Sequence, residues 1–192
     1  MAKLHFKYGT VSSGKTLQLL VAANNYEVYG RRVMVLKPEI DTRFGYGTIK
    51  TRIGLDRTAD LLLGDDPHMF DVPDNISAIL VDEAQFLSAA WIDQLRAVST
   101  AFDIPVLCFG LKADFKGHLF PGSKRLLEIA DSIEEIKTVC RWCTKKATMN
   151  LKFVNGKPTV EGPSIELGAE EMYLPACWDC YFHAVQSQRQ HG

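Results

Sequence analysis

The sequence predicts an α/β fold, with a parallel sheet flanked by helices over residues 1–138 and a small cysteine-tied unit over residues 139–192. Three observations predict it. Gly9-Thr10-Val11-Ser12-Ser13-Gly14-Lys15-Thr16 satisfies G-x-x-x-x-G-K-[ST] at every specified position, and it lies between a strand-like run and a helical one. Apolar runs of strand length alternate with segments of helical period as far as Val139. Beyond that point the alternation stops, and Cys140-Arg141-Trp142-Cys143 and Cys177-Trp178-Asp179-Cys180 form two C-x-x-C pairs.

Leu4 to Tyr8 reads as the first strand and Leu17 to Asn24 as the helix that follows the glycine-rich turn. Such a turn aims unpaired backbone N–H groups at an anion, because the first amides of a helix lack internal partners and its dipole is positive there. Lys15 would reach the β and γ phosphates of a nucleotide, and the Thr16 hydroxyl would ligate Mg²⁺. Gly30 suits the end of that helix, and Arg31 to Lys37 gives a second strand. Residues 38–58 show no period and hold Arg43, Lys50, Arg52 and Arg57, so they read as one long functional or solvated loop. Thr58 to Leu63 is expected to form a short helix.

Ser77 to Val81 is a continuous apolar run of the buried parallel type and ends in Asp82-Glu83. Ligands of parallel sheets bind outside the carboxyl ends of the strands. Asp82 therefore reads as the acid that holds Mg²⁺ and Glu83 as a base toward the group attacking the γ-phosphate. Ser88 is the expected N-cap of a helix over residues 89–101, on which Trp91 serves packing. Ile104 to Phe109 is the next strand, with Cys108 as a small core residue. By composition, Phe115 and Phe120 anchor the loop that follows it. A helix over Ser123 to Ala130 and a strand near Ile133 to Val139 complete about five strands.

Asn155-Gly156, between Ala147 to Val154 and Pro158 to Val160, is a strong hairpin signal. It lies between the cysteine pairs, so Cys140, Cys143, Cys177 and Cys180 can converge on one tetrahedral ion. Four thiolates leave no open position, which points to a structural Zn²⁺. His118 and His183 stand as alternative ligands, and a last helix runs from about Cys180 to Gln188.

Composition narrows the partners. The 192 residues are 46% hydrophobic and 23% charged, which is ordinary for a globular chain. No apolar run approaches the roughly 18 residues a spanning helix needs, and Met1 to Phe6 shows no signal-peptide core, so the expectation is a cytoplasmic protein without membrane contact. The net charge of -1 argues against a nucleic-acid partner and so against the rival reading, a zinc-ribbon ATPase that binds polynucleotide.

Taken together, these residues resemble the type II thymidine kinase family. The resemblance rests on Gly9 to Thr16, Asp41-Thr42-Arg43, Val81-Asp82-Glu83-Ala84-Gln85-Phe86-Leu87, Gly110 to Phe115 with Phe120-Pro121-Gly122-Ser123, both cysteine pairs, and Leu167-Gly168 before Tyr173. It implies a RecA-like P-loop domain with a zinc-bearing lasso domain, and transfer of the ATP γ-phosphate to the 5'-hydroxyl of thymidine or deoxyuridine. On that resemblance Glu83 takes the hydroxyl proton and Arg43 holds the transferring phosphate, while Gly9 to Thr16, Asp82 and Gln85 serve ATP and Mg²⁺. Val11, Phe86, Leu111, Phe115, Phe120, Asn150 and Tyr173 would enclose the nucleoside, and the segment Ser164, Ile165, Glu166 and Leu167 would bond the pyrimidine edge. The resemblance further implies a homotetramer inhibited by thymidine triphosphate. Val11 stands where the family usually carries methionine, and Ala169 where a second glycine is common.

Overall fold

A computed structural model describes residues 1–164 and 171–189. Six parallel strands form the main sheet: β1 (Leu4–Gly9), β2 (Arg32–Pro38), β5 (Leu61–Leu63), β6 (Ile76–Val81), β7 (Val106–Leu111) and β8 (Ser132–Glu135). Their spatial order is β5-β2-β6-β7-β1-β8. Strands β2 and β6 are apolar and almost wholly buried, as expected of strands covered on both faces. Helix α1 (Lys15–Glu27) packs on one face, through Leu19 and Ala23 against Val33, Val35, Leu80 and Phe109. On the other face α2 (Ala89–Phe102) and α3 (Pro121–Ile129) bury Trp91, Ile92, Leu95 and Leu126 against Phe6, Ile79 and Cys108.

Several local expectations hold. Ser88 caps α2, its hydroxyl accepting the Trp91 N–H at 3.2 Å. Gly30 takes φ +70° just past the end of α1. Trp91 is a core residue whose indole N–H donates to the Gly64 carbonyl at 2.7 Å, and burial pushes the Cys108 thiol far up.

Two expectations fail in the stretch after β2. Residues 38–58 are not one loop: β3 (Thr48–Lys50) and β4 (Asp56–Thr58) pair as an antiparallel hairpin. Three-residue strands are too short to show a period, so only their mutual pairing reveals them. Nor is there a helix over residues 58–63. Leu61 to Leu63 extend instead and pair with Leu36 to Pro38, which makes the sixth strand, while the Asp60 carboxylate accepts the Val35 N–H at 2.7 Å. An apolar triplet beside an open sheet edge gains more from that pairing than from its helical propensity.

The residues after β8 build a second sheet from β9 (Met149–Val154), β10 (Lys157–Thr159) and β11 (Glu171–Ala176), in the order β10-β9-β11. Asn155 and Gly156 turn its first hairpin with φ of 51° and 74°, the left-handed pair that a two-residue hairpin needs. Helix α4 (Trp178–Arg189) closes the unit, with Tyr181 buried on Leu151 and Ala176. Among the described residues no helix is long and apolar enough to cross a membrane.

Candidate active site

The carboxyl ends of β1, β2, β6 and β7 meet around a cavity of ≈ 300 Å³. The phosphate loop forms one wall. Gly9 must be glycine because a Cβ would stand 2.3 Å from Ser13 Oγ and 2.6 Å from the Ile136 carbonyl oxygen. Gly14, at φ +84°, makes the left-handed step into α1. Lys15 Nζ folds onto the loop and donates to the Thr10 carbonyl at 2.7 Å. Burial brings its pKa down to about 8 against the opposing pull of Glu83 and Asp82.

Asp82 lies just past the end of β6, against Thr16. The Thr16 hydroxyl donates to its two oxygens at 3.2 and 3.3 Å, so the two side chains that could share a divalent cation already touch. Burial first, and then the neighbouring Glu83, push the Asp82 carboxyl up to about 7. Its folded-state pKa therefore lies above the ordinary 3.8, and the stability it contributes is present at low pH and lost as pH rises through about 7. Asp82→Asn should abolish that titration. In ligand-free, metal-free protein its melting temperature should gain on the wild type as pH climbs from 3.8 to about 7, which thermal melts across that window will measure.

Glu83 has φ +49°, a left-handed backbone that a non-glycine residue adopts only under tertiary constraint. Both of its carboxylate oxygens are held. Arg43 Nη2 lies 2.7 Å from Oε1, and Gln85 Nε2 donates to Oε2 at 2.6 Å. Gln85 is fully buried, and its Oε1 accepts the Leu111 N–H at 3.0 Å, which locks the amide in one orientation. Arg43 is gripped from behind by Asp41, with Nε to Oδ1 at 2.6 Å and Nη2 to Oδ2 at 3.2 Å. Burial opposes the charge of Arg43, but Glu83 and Asp41 outweigh it and hold the guanidinium well above its ordinary pKa. Asp41 is in turn paired with buried Lys37 at 3.2 Å, and Lys37 donates to the Thr48 carbonyl at 2.7 Å. A chain of charges thus runs from β2 to Glu83 and ties in the β3–β4 hairpin.

Sequence reasoning placed no role on Lys37, and it held Lys50 and Arg52 only as members of a long loop. The hairpin brings Lys50, Thr51, Arg52 and Ile53 to the cavity wall opposite Lys15 and Thr16. Among the described residues lining it, Lys15, Arg43, Lys50 and Arg52 face a single carboxylate, Glu83. Such an excess of positive charge suits a polyanion. The signal for Lys37 was a lysine inside an otherwise apolar buried strand, since such a cation needs a paired partner.

Other expected site residues lie around this centre. Val11 and Leu111 line the cavity. Phe115 and Phe120 are both buried; Phe115 sits 6.1 Å from the Tyr173 ring and Phe120 meets Phe86 edge-on at 5.8 Å. Phe86 lines a neighbouring groove of ≈ 500 Å³ with Leu87, Trp91 and Pro121. Asn150 bridges two loops through its amide, and the Ser164 hydroxyl donates to Asp114 Oδ2 at 2.6 Å. Ile165, Glu166 and Leu167, with Ala169, lie outside the described residues.

The four cysteines do converge, all their Sγ atoms lying within 4.8 Å of one another. Cys143 Sγ is 3.6 Å from Cys177 Sγ and 3.9 Å from Cys180 Sγ. A tetrahedral ion with metal–sulfur bonds of about 2.3 Å requires edges of about 3.8 Å, close to the two Cys143 edges. Neither His118 nor His183 belongs to the cluster. At Cys140 burial works against the thiolate, but backbone N–H groups of Cys177, Trp142 and Cys143 prevail and bring the pKa down to about 6, toward the form that binds metal.

A family model described as thymidine kinase matches residues 2–181. The chain belongs to the thymidine kinase family. Among curated members it is 46% identical over 187 residues to the thymidine kinase of Streptococcus agalactiae serotype Ia, covering 95% of this chain and 98% of the relative. It is 45% identical over 186 residues to that of Streptococcus gordonii, covering 95% and 97%, and 44% identical over 187 residues to that of Streptococcus pyogenes serotype M3, covering 95% and 98%. The residues matched by the thymidine kinase family model include the phosphate loop, the Asp82-Glu83 strand end and all four cysteines.

Proposed function

We propose that the chain is a thymidine kinase that transfers the ATP γ-phosphoryl group to the 5'-hydroxyl of thymidine, with deoxyuridine as a second acceptor. The observation that carries this reading is the single cavity on which the phosphate loop, Glu83 and Arg43 converge beside the Thr16–Asp82 pair. Residues 1–138 form the nucleotide-binding unit and residues 139–192 a metal-organised lid.

The loop amides and Lys15 bind and orient the triphosphate, and Thr16 and Asp82 hold Mg²⁺, which neutralises phosphate charge when bound. Glu83 accepts the 5'-hydroxyl proton, while Gln85 and Arg43 keep its carboxylate pointed at the cavity. Arg43 adds positive charge where the transferring group gathers negative charge. Val11 and Leu111 supply apolar surface beside the phosphates, and the Phe115–Tyr173 pair, the Phe86–Phe120 pair and the segment Ser164 to Leu167 would enclose the base. The four-cysteine cluster takes Zn²⁺ as a structural ion. A homotetramer subject to feedback by thymidine triphosphate, acting in the cytoplasm, completes the proposal.

The deciding assay is thymidine-dependent release of ADP with thymidine monophosphate formed. ATP turnover that ignores thymidine but rises with single-stranded DNA would sink the reading.

A further inference from the structure

Asn150 lies on β9, the strand between the two cysteine pairs, yet its side chain serves the main sheet. Its Oδ1 accepts the Val11 N–H at 2.8 Å, and its Nδ2 donates to the Ala113 carbonyl at 2.9 Å. The residue is only 5% exposed. Val11 belongs to the phosphate loop after β1, and Ala113 to the loop after β7, the strand hydrogen-bonded beside β1. One planar amide therefore spans the two loops, and only asparagine or glutamine can accept and donate on one such group.

A phosphate loop works by aiming several backbone N–H groups at one point, and free amides in an empty loop turn toward any acceptor within reach. Pinned to Asn150, the Val11 amide cannot wander. The left-handed steps at Ser12 (φ 62°) and Gly14 (φ 84°) then start from a fixed point. Among the described residues, further bonds run from the cysteine-tied unit to the loop after β7, among them Tyr181 Oη donating to the Phe115 carbonyl at 2.7 Å and Ser164 Oγ to Asp114 Oδ2 at 2.6 Å. Of these three bonded side chains, Asn150 is the one that reaches the phosphate loop.

We infer that Asn150 is a positioning residue for the phosphate donor: from the second sheet it holds the loop Gly9 to Thr16 in its anion-binding shape, and so acts on ATP more than on thymidine. The inference rests on the kinase reading above. It gives Asn150 a task on the donor side instead of contact with the nucleoside. Pre-organised amides meet the phosphates without first paying for order, whereas a loosened loop must be ordered on binding.

The test measures binding of ATP with Mg²⁺, and separately of thymidine, by calorimetry on wild type, Asn150→Ala and Asn150→Leu. The leucine variant fills the space and guards against collapse around a cavity. Metal content and hydrogen exchange of the loop are followed in parallel. The variants should bind ATP about tenfold more weakly, the usual consequence of leaving a buried amide and carbonyl unmatched. Thymidine affinity should fall clearly less than ATP affinity, because Tyr181 and Ser164 still brace the loop after β7, and metal content should stay unchanged. The Val11 amide should exchange slowly in the ligand-free wild type and fast in the variants. Unchanged ATP affinity overturns the inference, as does a loss confined to thymidine, a joint loss of both ligands with the metal, or a Val11 amide that exchanges freely in the wild type. If the wild type binds no ATP, the kinase reading itself fails; if it binds ATP and the variants bind equally, only the role of Asn150 falls.

Discussion

Glu83→Gln should leave ATP bound while kcat falls by about two to four orders of magnitude, the usual worth of a positioned general base. Glutamine keeps the length and planarity of the side chain, and its one oxygen stays on Arg43 while its NH2 turns to Gln85, whose bond is given up. What disappears is the capacity to take a proton. The ion pair with Arg43, 2.7 Å in the wild type, becomes a neutral hydrogen bond, but Asp41 continues to grip that guanidinium through two contacts. Positive charge at the phosphates is thereby retained, so ATP affinity measured by calorimetry should stay within about threefold of the wild type. Single-turnover rates at saturating thymidine and ATP isolate the chemical step. A variant that turns over at near-normal rate would remove Glu83 from the role of base and leave it as the anchor of Arg43.

Loss of one metal ligand should have the second large effect. Cys143 lies between Cys177 and Cys180, at 3.6 and 3.9 Å, and Cys143→Ser replaces a soft thiolate by a hydroxyl that ligates zinc poorly. Metal content should fall from about one ion per chain to near zero, because in small zinc units binding free energy is folding free energy. The main sheet has its own two-faced core and should survive, with near-native far-UV circular dichroism. The unit after β8 has a modest cluster of its own around Leu151, Ala176 and Tyr181, and it should loosen. Thymidine affinity should drop at least about tenfold as the braces on the Phe115 loop slacken. Full metal occupancy with normal thymidine affinity would refute a four-thiolate clamp.

The chemistry of this protein is legible in its sequence wherever the chemistry is local. The phosphate loop occupies eight consecutive positions, and its function depends on its own backbone and the helix behind it. Asp82 and Glu83 end an apolar run whose burial sets their position at the carboxyl edge of the sheet. The cysteine pairs reveal themselves by spacing, and the Asn155-Gly156 turn by the φ > 0 that it demands. Even the trace of β5 was present, but three leucines are compatible with helix or strand, and only a free edge of β2 decides between them.

Tertiary structure decided what depends on partners distant in the chain. Arg43 meets Glu83 because β2 and β6 are neighbours in the sheet, and Lys37 is tolerated inside because Asp41 turns back onto it. Gln85 bonds Glu83 and the Leu111 N–H together only because β7 comes close to the end of β6. Asn150 and Val11 stand 139 positions apart, and no local pattern announces their bond. Hydrophobic periodicity encodes which face of an element is buried, whereas the pairing of particular polar groups appears only after sheet order and register have brought them within hydrogen-bonding distance.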